Sequence, residues 1–306
     1  MQEGTIVVTG LGGLIGNAVA TRLVADGRSV IGLDRSRPAT APCLVVTHDL
    51  GNQHRLHEIV LRHGVRAIVH AGGISGPMVL PDDPAKVADV NISGLIDMLE
   101  VARIHKLDRI VWFSTVNVYG ETGDPAPVSE KTPRRPVTVY GASKLAGEGL
   151  LAGYAAEHGV DGVALRVSST YGPLRASACF IRTLIENARA GRPTRVPHAD
   201  QRTRQHIYVE DVAAATIAAL DRRRLRQLAY NIGPGAALTT AEVVAEVAKS
   251  VPGARIEIAA DGMPWNSFRL GPLDISAARR DLGWQPRVSL AEGARRYADW
   301  LSQHKG

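Results

Sequence analysis

The stretch Ile6-Val7-Val8-Thr9-Gly10-Leu11-Gly12-Gly13-Leu14-Ile15-Gly16 runs from a short apolar segment through a glycine-rich turn into residues whose apolar members, Ile15, Val19 and Leu23, recur at helical spacing. An unbroken apolar run of this length fits a strand covered on both faces, and the spacing after it fits a helix. Gly10 allows the tight turn, Gly13 lets the backbone approach a pyrophosphate, and Gly16 lets the helix pack closely on the strand. The helix then begins at Leu14 and Ile15, with its free N–H groups facing an anion. A second apolar run, Ser29 to Leu33, ends at Asp34, eighteen residues beyond Gly16, where an acid can accept hydrogen bonds from an adenosine ribose. Strand, glycine turn, helix, strand and acid in that order predict a dinucleotide site. Asp34 repels a ribose phosphate and favours NAD; Arg35 beside it can pair with such a phosphate, which keeps NADP as the alternative.

Composition bounds the rest. With 306 residues and 45% hydrophobic content, the chain can bury a substantial core: one sheet domain plus a smaller appendage. No apolar run approaches the ~20 residues that span a bilayer, and the N-terminus lacks a basic and apolar leader, so a cytoplasmic protein without a membrane partner is expected. Cys43 and Cys179 match no metal or redox spacing and read as free thiols. None of the ten histidines falls in a metal-binding pattern; His54 and His57 share a helix face without further ligands, so no metal is expected. The formal charge of +6 is scattered, apart from Arg134-Arg135 and Arg222-Arg223-Arg224 with Arg226. These arginines read as solvated loop residues, not a nucleic-acid surface, and the positive balance suits an anionic substrate.

Beyond Asp34 the alternation of strands and helices continues. A third strand, Cys43 to Thr47, ends at His48-Asp49-Leu50; a helix from about Gln53 to His63 leads to the strand Ala67-Ile68-Val69-His70 and the small-residue turn Ala71-Gly72-Gly73. Asn91 lies inside the following helix, where asparagine is disfavoured unless its amide has a task. The strand Arg109 to Phe113 delivers Ser114 and Thr115 at its carboxyl end, the edge where open parallel sheets bind ligands. A proline-rich loop from Pro125 to Pro136 borders the pocket, and Tyr140 to Leu145 opens a helix running to about His158, before the strand Gly162 to Arg166. The pattern then loosens into a helix from about Ser177 to Ala190, a short element at His206 to Val209, a helix Val212 to Leu220 and a strand Ala229 to Gly233. A helix after Thr240 and a strand Arg255 to Ile258 follow. The expectation is an α/β chain: a Rossmann-type doubly wound parallel sheet with a smaller C-terminal substrate-binding region. Residues 1–170 form the NAD-binding domain, 206–233 return to it, and 171–306 supply the smaller region.

Tyr140 and Lys144 are four residues apart on one helix face. A free phenol titrates near 10, and a nearby ammonium together with the positive ring of oxidised nicotinamide both favour phenolate. Lowering the pKa by about three units takes roughly 4 kcal/mol, within reach of two partly desolvated cations. Thr115 supplies a hydroxyl able to bond the reacting oxygen, with Ser114 as its rival.

Thr9 with the G-x-x-G-x-x-G turn, Ser114-Thr115 followed by Val118-Tyr119-Gly120, the Tyr140-x-x-x-Lys144 pair and the run Leu273 to Pro286 resemble the extended short-chain dehydrogenases/reductases, specifically the NAD-dependent epimerase/dehydratase family. The likeness covers essentially the whole chain. It implies Thr115, Tyr140 and Lys144 as catalytic residues, with Lys144 also bonding the nicotinamide ribose. It places Asp49 and Leu50 near the adenine, Ala71, Gly72 and Gly73 beside the cofactor, and Asn91 holding its helix and a water near the active site. Ser75, Ser169, Arg204 and Arg269 become substrate candidates. The implied activity is oxidation of a secondary alcohol on a carbohydrate, of the nucleotide-sugar 4-epimerase kind, in a homodimer formed through the helix after Asn91 and the one carrying Tyr140. Three departures keep alternatives open: Ser169 stands where many relatives have Asn, Gln205 where they have Asp, and His198-Ala199-Asp200 where they have Gly-Asp-Gly. A dehydrogenase of a non-nucleotide sugar or sugar acid is the second reading; a non-catalytic NAD sensor, which would be expected to lose Tyr140 or Lys144, is a third. Val116 and Asn117 replace the Asp and Glu that follow the catalytic Thr in 4,6-dehydratases, which argues against water elimination.

Overall fold

The computed structural model describes residues 4–122, 126–197, 203–259 and 269–304; the replaced glycine turn at His198-Ala199-Asp200 lies outside them. Seven parallel strands form the central sheet: Thr5–Thr9 (β1), Val30–Asp34 (β2), Leu44–Thr47 (β3), Val65–His70 (β4), Arg109–Thr115 (β5), Gly162–Val167 (β6) and Ala229–Ile232 (β10). Their order is β10-β6-β5-β4-β1-β2-β3, so the chain winds outward from β1 in one direction and then returns to build the other half.

The apolar runs without alternation are explained by cover on both sides. Successive side chains point to opposite faces, and both faces are dry. Val7, Ile68 and Ile110 enter a core with Leu95, Leu99 and Trp112. That face is closed by Gln53–His63 (α2), Pro84–His105 (α3) and Val139–His158 (α4). Ile6, Val8, Val69, Val111 and Leu165 face the opposite way, against Leu14–Ala25 (α1) and Val209–Asp221 (α6). The helix ends match their sequence signals: Asn52 accepts from the Arg55 amide to cap α2, Asp83 precedes a proline at the start of α3, and Thr138 caps α4.

A third core, built from Phe180, Ile185, Val196, Val247, Tyr297 and Leu301, gathers the C-terminal elements. These are Phe180–Arg189 (α5), Thr240–Ala248 (α7), Leu290–Gln303 (α8) and the parallel pair Thr194–Pro197 (β8) and Ile256–Ala259 (β11). A second small pair, Ser169–Tyr171 (β7) and His206–Tyr208 (β9), joins this region to the sheet. Three elements go beyond the sequence reading: β7, β8 and α8. β8 is four residues long and ends in proline, too short to show a period; α8 is set by its Ser289 cap and the apolar face of Ala294, Tyr297, Ala298 and Leu301. α5 starts at Phe180, later than the sequence suggests, because Arg175 ties the carbonyls of Thr170 and Ala178 into a turn before it.

Candidate active site

The glycine turn lies at the carboxyl edge of β1. Gly10 has φ +66°, and a Cβ there would stand 2.6 Å from the Ala71 carbonyl oxygen; a Cβ on Gly16 would collide with the Gly10 carbonyl. These two residues let α1 and the Ala71 loop close on the turn. Leu14 and Ile15 form the first turn of α1, with Gly13 as the cap and no side chain of its own to satisfy the free amides. Asp34 is fixed beside it: its carboxylate accepts from the Gly12 amide at 2.8 Å and from the Arg35 amide at 2.7 Å. Arg35 itself is exposed. Thr9 bonds His70 Nδ1 at 2.7 Å and accepts from the Gly72 amide at 2.9 Å, which locks the Ala71-Gly72 turn onto the first strand.

The glycine at position 73 has a geometric cause. Its φ is +137°, and a Cβ would lie 2.8 Å from Asn91 Oδ1. That oxygen is occupied, accepting from the Ile74 amide at 2.8 Å, while Asn91 Nδ2 donates to the Ile74 carbonyl and to Ser143 Oγ. The mid-helix asparagine therefore clamps the loop after β4 between α3 and α4. Asp49 and Leu50 lie at the end of β3, where Leu50 packs against Gly94 and the Gly51 amide donates to Asp97.

Tyr140 projects from the first turn of α4 and is buried, near the Thr115 and Ser75 hydroxyls, which favour its ionised form. Thr115 ends β5; its neighbour Ser114 points the other way and donates to Glu148 at 2.6 Å. Strand alternation thus separates the two hydroxyls, giving Thr115 to Tyr140 and Ser114 to a buried ion pair. Lys144, one turn along α4, is also buried, donates from Nζ to the Phe113 carbonyl at 3.0 Å and lies 4.8 Å from the centre of the Trp112 ring.

The electrostatics add desolvation to the sequence reading. Burial raises the Tyr140 phenol above its ordinary value, although the bonds from Thr115 and Ser75 and the charge of Arg175 pull it back. Burial also lowers Lys144, to about 8. Without a cofactor the site therefore favours a neutral phenol, and the cation whose field reaches Tyr140 is Arg175, a residue that sequence reasoning passed over. Nothing in its spacing marked it.

The substrate candidates divide. Ser75 reaches Tyr140, and Ser169 is the open residue of β7, next to buried Thr170 and Tyr171. Arg204 is only 3% exposed, with its guanidinium over the Phe180 ring and Nε donating to Thr240 Oγ1 at 2.9 Å. Arg269 is exposed, on a segment zipped to residues 121–122 through the Glu121 carboxylate and the Thr122 amide. Gln205 stitches the same segment, bonding the Gly271 carbonyl and the Leu273 amide. Cys43 and Cys179 are free thiols. Among the described residues, no helix is long and apolar enough to cross a membrane.

A seven-stranded parallel sheet with this order, and a glycine turn held to the Asp34 carboxylate at the end of β2, define a doubly wound dinucleotide-binding protein of the extended short-chain dehydrogenase/reductase class. Residues 6–233 match the NAD dependent epimerase/dehydratase family, to which the chain belongs. It is 31% identical to a UDP-glucose 4-epimerase from Mycolicibacterium smegmatis over 94% of this chain and 95% of that one. It is 30% identical to a dTDP-glucose 4,6-dehydratase from Streptomyces niveus over 85% of this chain and 76% of that one. The solved UDP-glucose 4-epimerase of Thermus thermophilus in complex with NAD superposes with a TM-score of 0.85 at 27% identity, covering 96% of this chain and 98% of that one.

Proposed function

We propose that the chain is a nucleotide-sugar 4-epimerase that uses NAD, with Tyr140 as the base, Thr115 bonding the reacting oxygen and Lys144 orienting the cofactor. The observation that carries this reading is the meeting of Tyr140, Thr115 and Ser75 at the carboxyl edge of the sheet, beside the glycine turn. The residues fit NAD: the Gly10 to Gly16 turn leaves backbone amides bare at the start of α1, and the Asp34 carboxylate is already aimed by two amides. Gly10, Gly13, Leu14, Ile15 and Gly16 would hold the pyrophosphate, Asp34 the ribose, Asp49 and Leu50 the adenine end, and Ala71, Gly72 and Gly73 the face opposite Tyr140. Asn91 holds that last loop in place.

NAD supplies the acceptor and later the donor of hydride. Tyr140, held as phenolate by donation from the Ser75 hydroxyl, takes the proton of the substrate hydroxyl as hydride leaves its carbon and becomes a phenol, while the Thr115 hydroxyl bonds the reacting oxygen. A loosely held keto sugar can then turn, and Tyr140 returns the proton when hydride comes back on the other face. Arg204 and Arg269 anchor the remote diphosphate, so Arg204→Ala raises KM more than it lowers kcat. The reading includes the division into a cofactor-binding part, 1–170 with 206–233, and a substrate-binding region within 171–306. It also includes a cytoplasmic homodimer through α3 and α4; Gly149 and Gly153 of α4 have nothing within 4 Å of an added Cβ, leaving room for a second copy.

Elimination of water has no acid and base to carry it, because Val116 and Asn117 occupy the turn directly after Thr115. UDP-hexoses are accordingly expected to interconvert between C4 epimers without stoichiometric NADH release and without any 4-keto-6-deoxy product, as read by chromatography and absorbance. The dehydrogenase reading replaces this one if UDP-hexoses are inert while a free sugar or sugar acid with added NAD gives NADH. A further expectation concerns Lys144. Since it loses its proton near pH 8, NAD affinity falls above that pH in the wild type; Lys144→Met binds more weakly at every pH and shows no such fall. Calorimetric titration across pH 6.5 to 9.5 (~ the span set by that ionisation) checks it.

A further inference from the structure

In sequence His57 has only His54 beside it on one face of α2; the fold gives it a different partner. His105, the last residue of α3, comes up against it, with His57 Nδ1 and His105 Nε2 2.8 Å apart. A protonated ring nitrogen cannot accept, so this bond requires a free lone pair on one of the two rings. The rings are tilted by 51° with their centres 5.0 Å apart, and neither is stacked on the other. Both residues are half-buried. The α2–α3 seam is already closed by Leu56, Ile59 and Val60 on one side and Leu95, Leu99 and Ala102 on the other. A neutral hydrogen bond at a partly open position adds little to such a contact.

Imidazole nitrogens bind late transition metals at ~2.0–2.1 Å. Two of them in neighbouring positions of a square or octahedral shell then stand about 2.9 Å apart, and in a tetrahedral shell about 3.3 Å. The 2.8 Å between His57 and His105 matches the first, the shell that divalent copper and nickel prefer. An ion sits to one side of the line joining the nitrogens, where the proton of the hydrogen bond lies, so each ring turns about its Cβ–Cγ bond to meet it. Each neutral ring keeps its single N–H on the other nitrogen, His57 Nε2 and His105 Nδ1, and no proton has to leave the pair. Among the described residues no group of three His, Cys, Asp or Glu side chains forms a metal cluster. The half-exposed setting leaves the remaining positions of the shell to water. The same helix pair carries the loop after β3: the Gly51 amide and Gln53 Nε2 donate to the Asp97 carboxylate of α3 at 2.8 and 2.7 Å. An ion on His57 and His105 fastens a second point of the seam that holds Asp49 and Leu50.

We propose that His57 Nδ1 and His105 Nε2 form a site for one divalent copper or nickel ion that clamps α2 to α3, separate from the chemistry at Tyr140. The full chain, produced without a histidine tag and stripped by chelation, is titrated calorimetrically with Cu²⁺ and Ni²⁺, with glycine as competing ligand and Mg²⁺ as control. The expected result is one equivalent of Cu²⁺ held by two histidine nitrogens, read by electron paramagnetic resonance with isotope-labelled histidine. The melting temperature climbs with metal concentration, because the ion binds the folded chain. His57→Gln and His105→Gln each weaken binding by ~10-fold or more, since losing a ligand costs at least as much as losing an outer-shell partner, and each abolishes the rise in melting temperature. His54→Gln changes neither. Metal-free melts confirm that the variants fold; if one does not, two histidine nitrogens in the wild-type spectrum together with an unchanged His54→Gln carry the proposal. No binding by the wild type overturns it, as does a spectrum with fewer than two histidine nitrogens. Binding that survives His105→Gln also overturns it, placing the ion on His54 and His57 of one helix or elsewhere on the surface.

Discussion

Tyr140→Phe is expected to lower turnover by roughly 10²- to 10⁴-fold, the range that a positioned acid or base contributes, while leaving NAD affinity and the fold in place. The substitution deletes one oxygen and keeps the ring that fills the space at the start of α4. Its cost to stability is small, on the order of 1 kcal/mol, because the phenol's partners, Thr115 and Ser75, are hydroxyls that can turn to water or substrate. The effect on rate is large for the reason the unliganded electrostatics expose. Burial raises the phenol, so the site depends on charge arriving with the cofactor and on Arg175 to make the phenolate accessible. Phe cannot accept a proton at all. Kinetics of the purified variant beside a calorimetric NAD titration make the distinction: activity within tenfold of wild type assigns the base elsewhere, and lost NAD binding makes Tyr140 a cofactor contact first.

How much of this was legible in the residues depends on the range of the interaction. The glycine turn, Asp34 and the Tyr140-Lys144 spacing are local, set within one turn or one strand end, and the structure puts them on the elements expected. The separation of Ser114 from Thr115 follows from strand alternation, once the strand is known to continue to Thr115. Gly73 reads from sequence only as part of a small-residue turn, and the approach of Asn91, eighteen residues on, shows that a side chain has no room there. Arg175 was invisible for the same reason: its charge acts on Tyr140, thirty-five residues earlier, only because the packed chain brings them near. For Tyr140 the residues show the two cations that favour phenolate, whereas the opposing desolvation becomes visible only once the phenol is seen to be buried.

Removing one member of the Glu148–Arg166 pair is expected to destabilise the chain by roughly 3–5 kcal/mol, the largest stability effect of any single polar substitution considered. Both side chains are almost fully enclosed, at 5% and 2% exposure. Arg166 Nε and Nη2 donate to the two carboxylate oxygens at 2.9 and 2.7 Å, and Ser114 adds a bond of 2.6 Å. Arg166 Nη1 continues to the Tyr119 hydroxyl at 2.8 Å, and Tyr119 donates to Asn231 Oδ1 at 2.6 Å. Asn231 Nδ2 in turn holds the carbonyls of Val128 and Asp274. Glu148 is one turn beyond Lys144 on α4, so the network joins the helix bearing Tyr140 to the strand bearing Thr115 and to the segment that leads to Arg269. Arg166→Met leaves the buried Glu148 carboxylate only Ser114 and the half-exposed Arg134, at 3.3 Å, as donors, whereas Glu148→Met with Arg166→Met removes both buried charges together and is expected to cost less than the sum of the single changes. Urea unfolding of the three variants closes the cycle. Additive losses would mean that Glu148 and Arg166 act independently, and that the alignment of Tyr140 with Thr115 rests on the apolar packing of α4 against β5 alone.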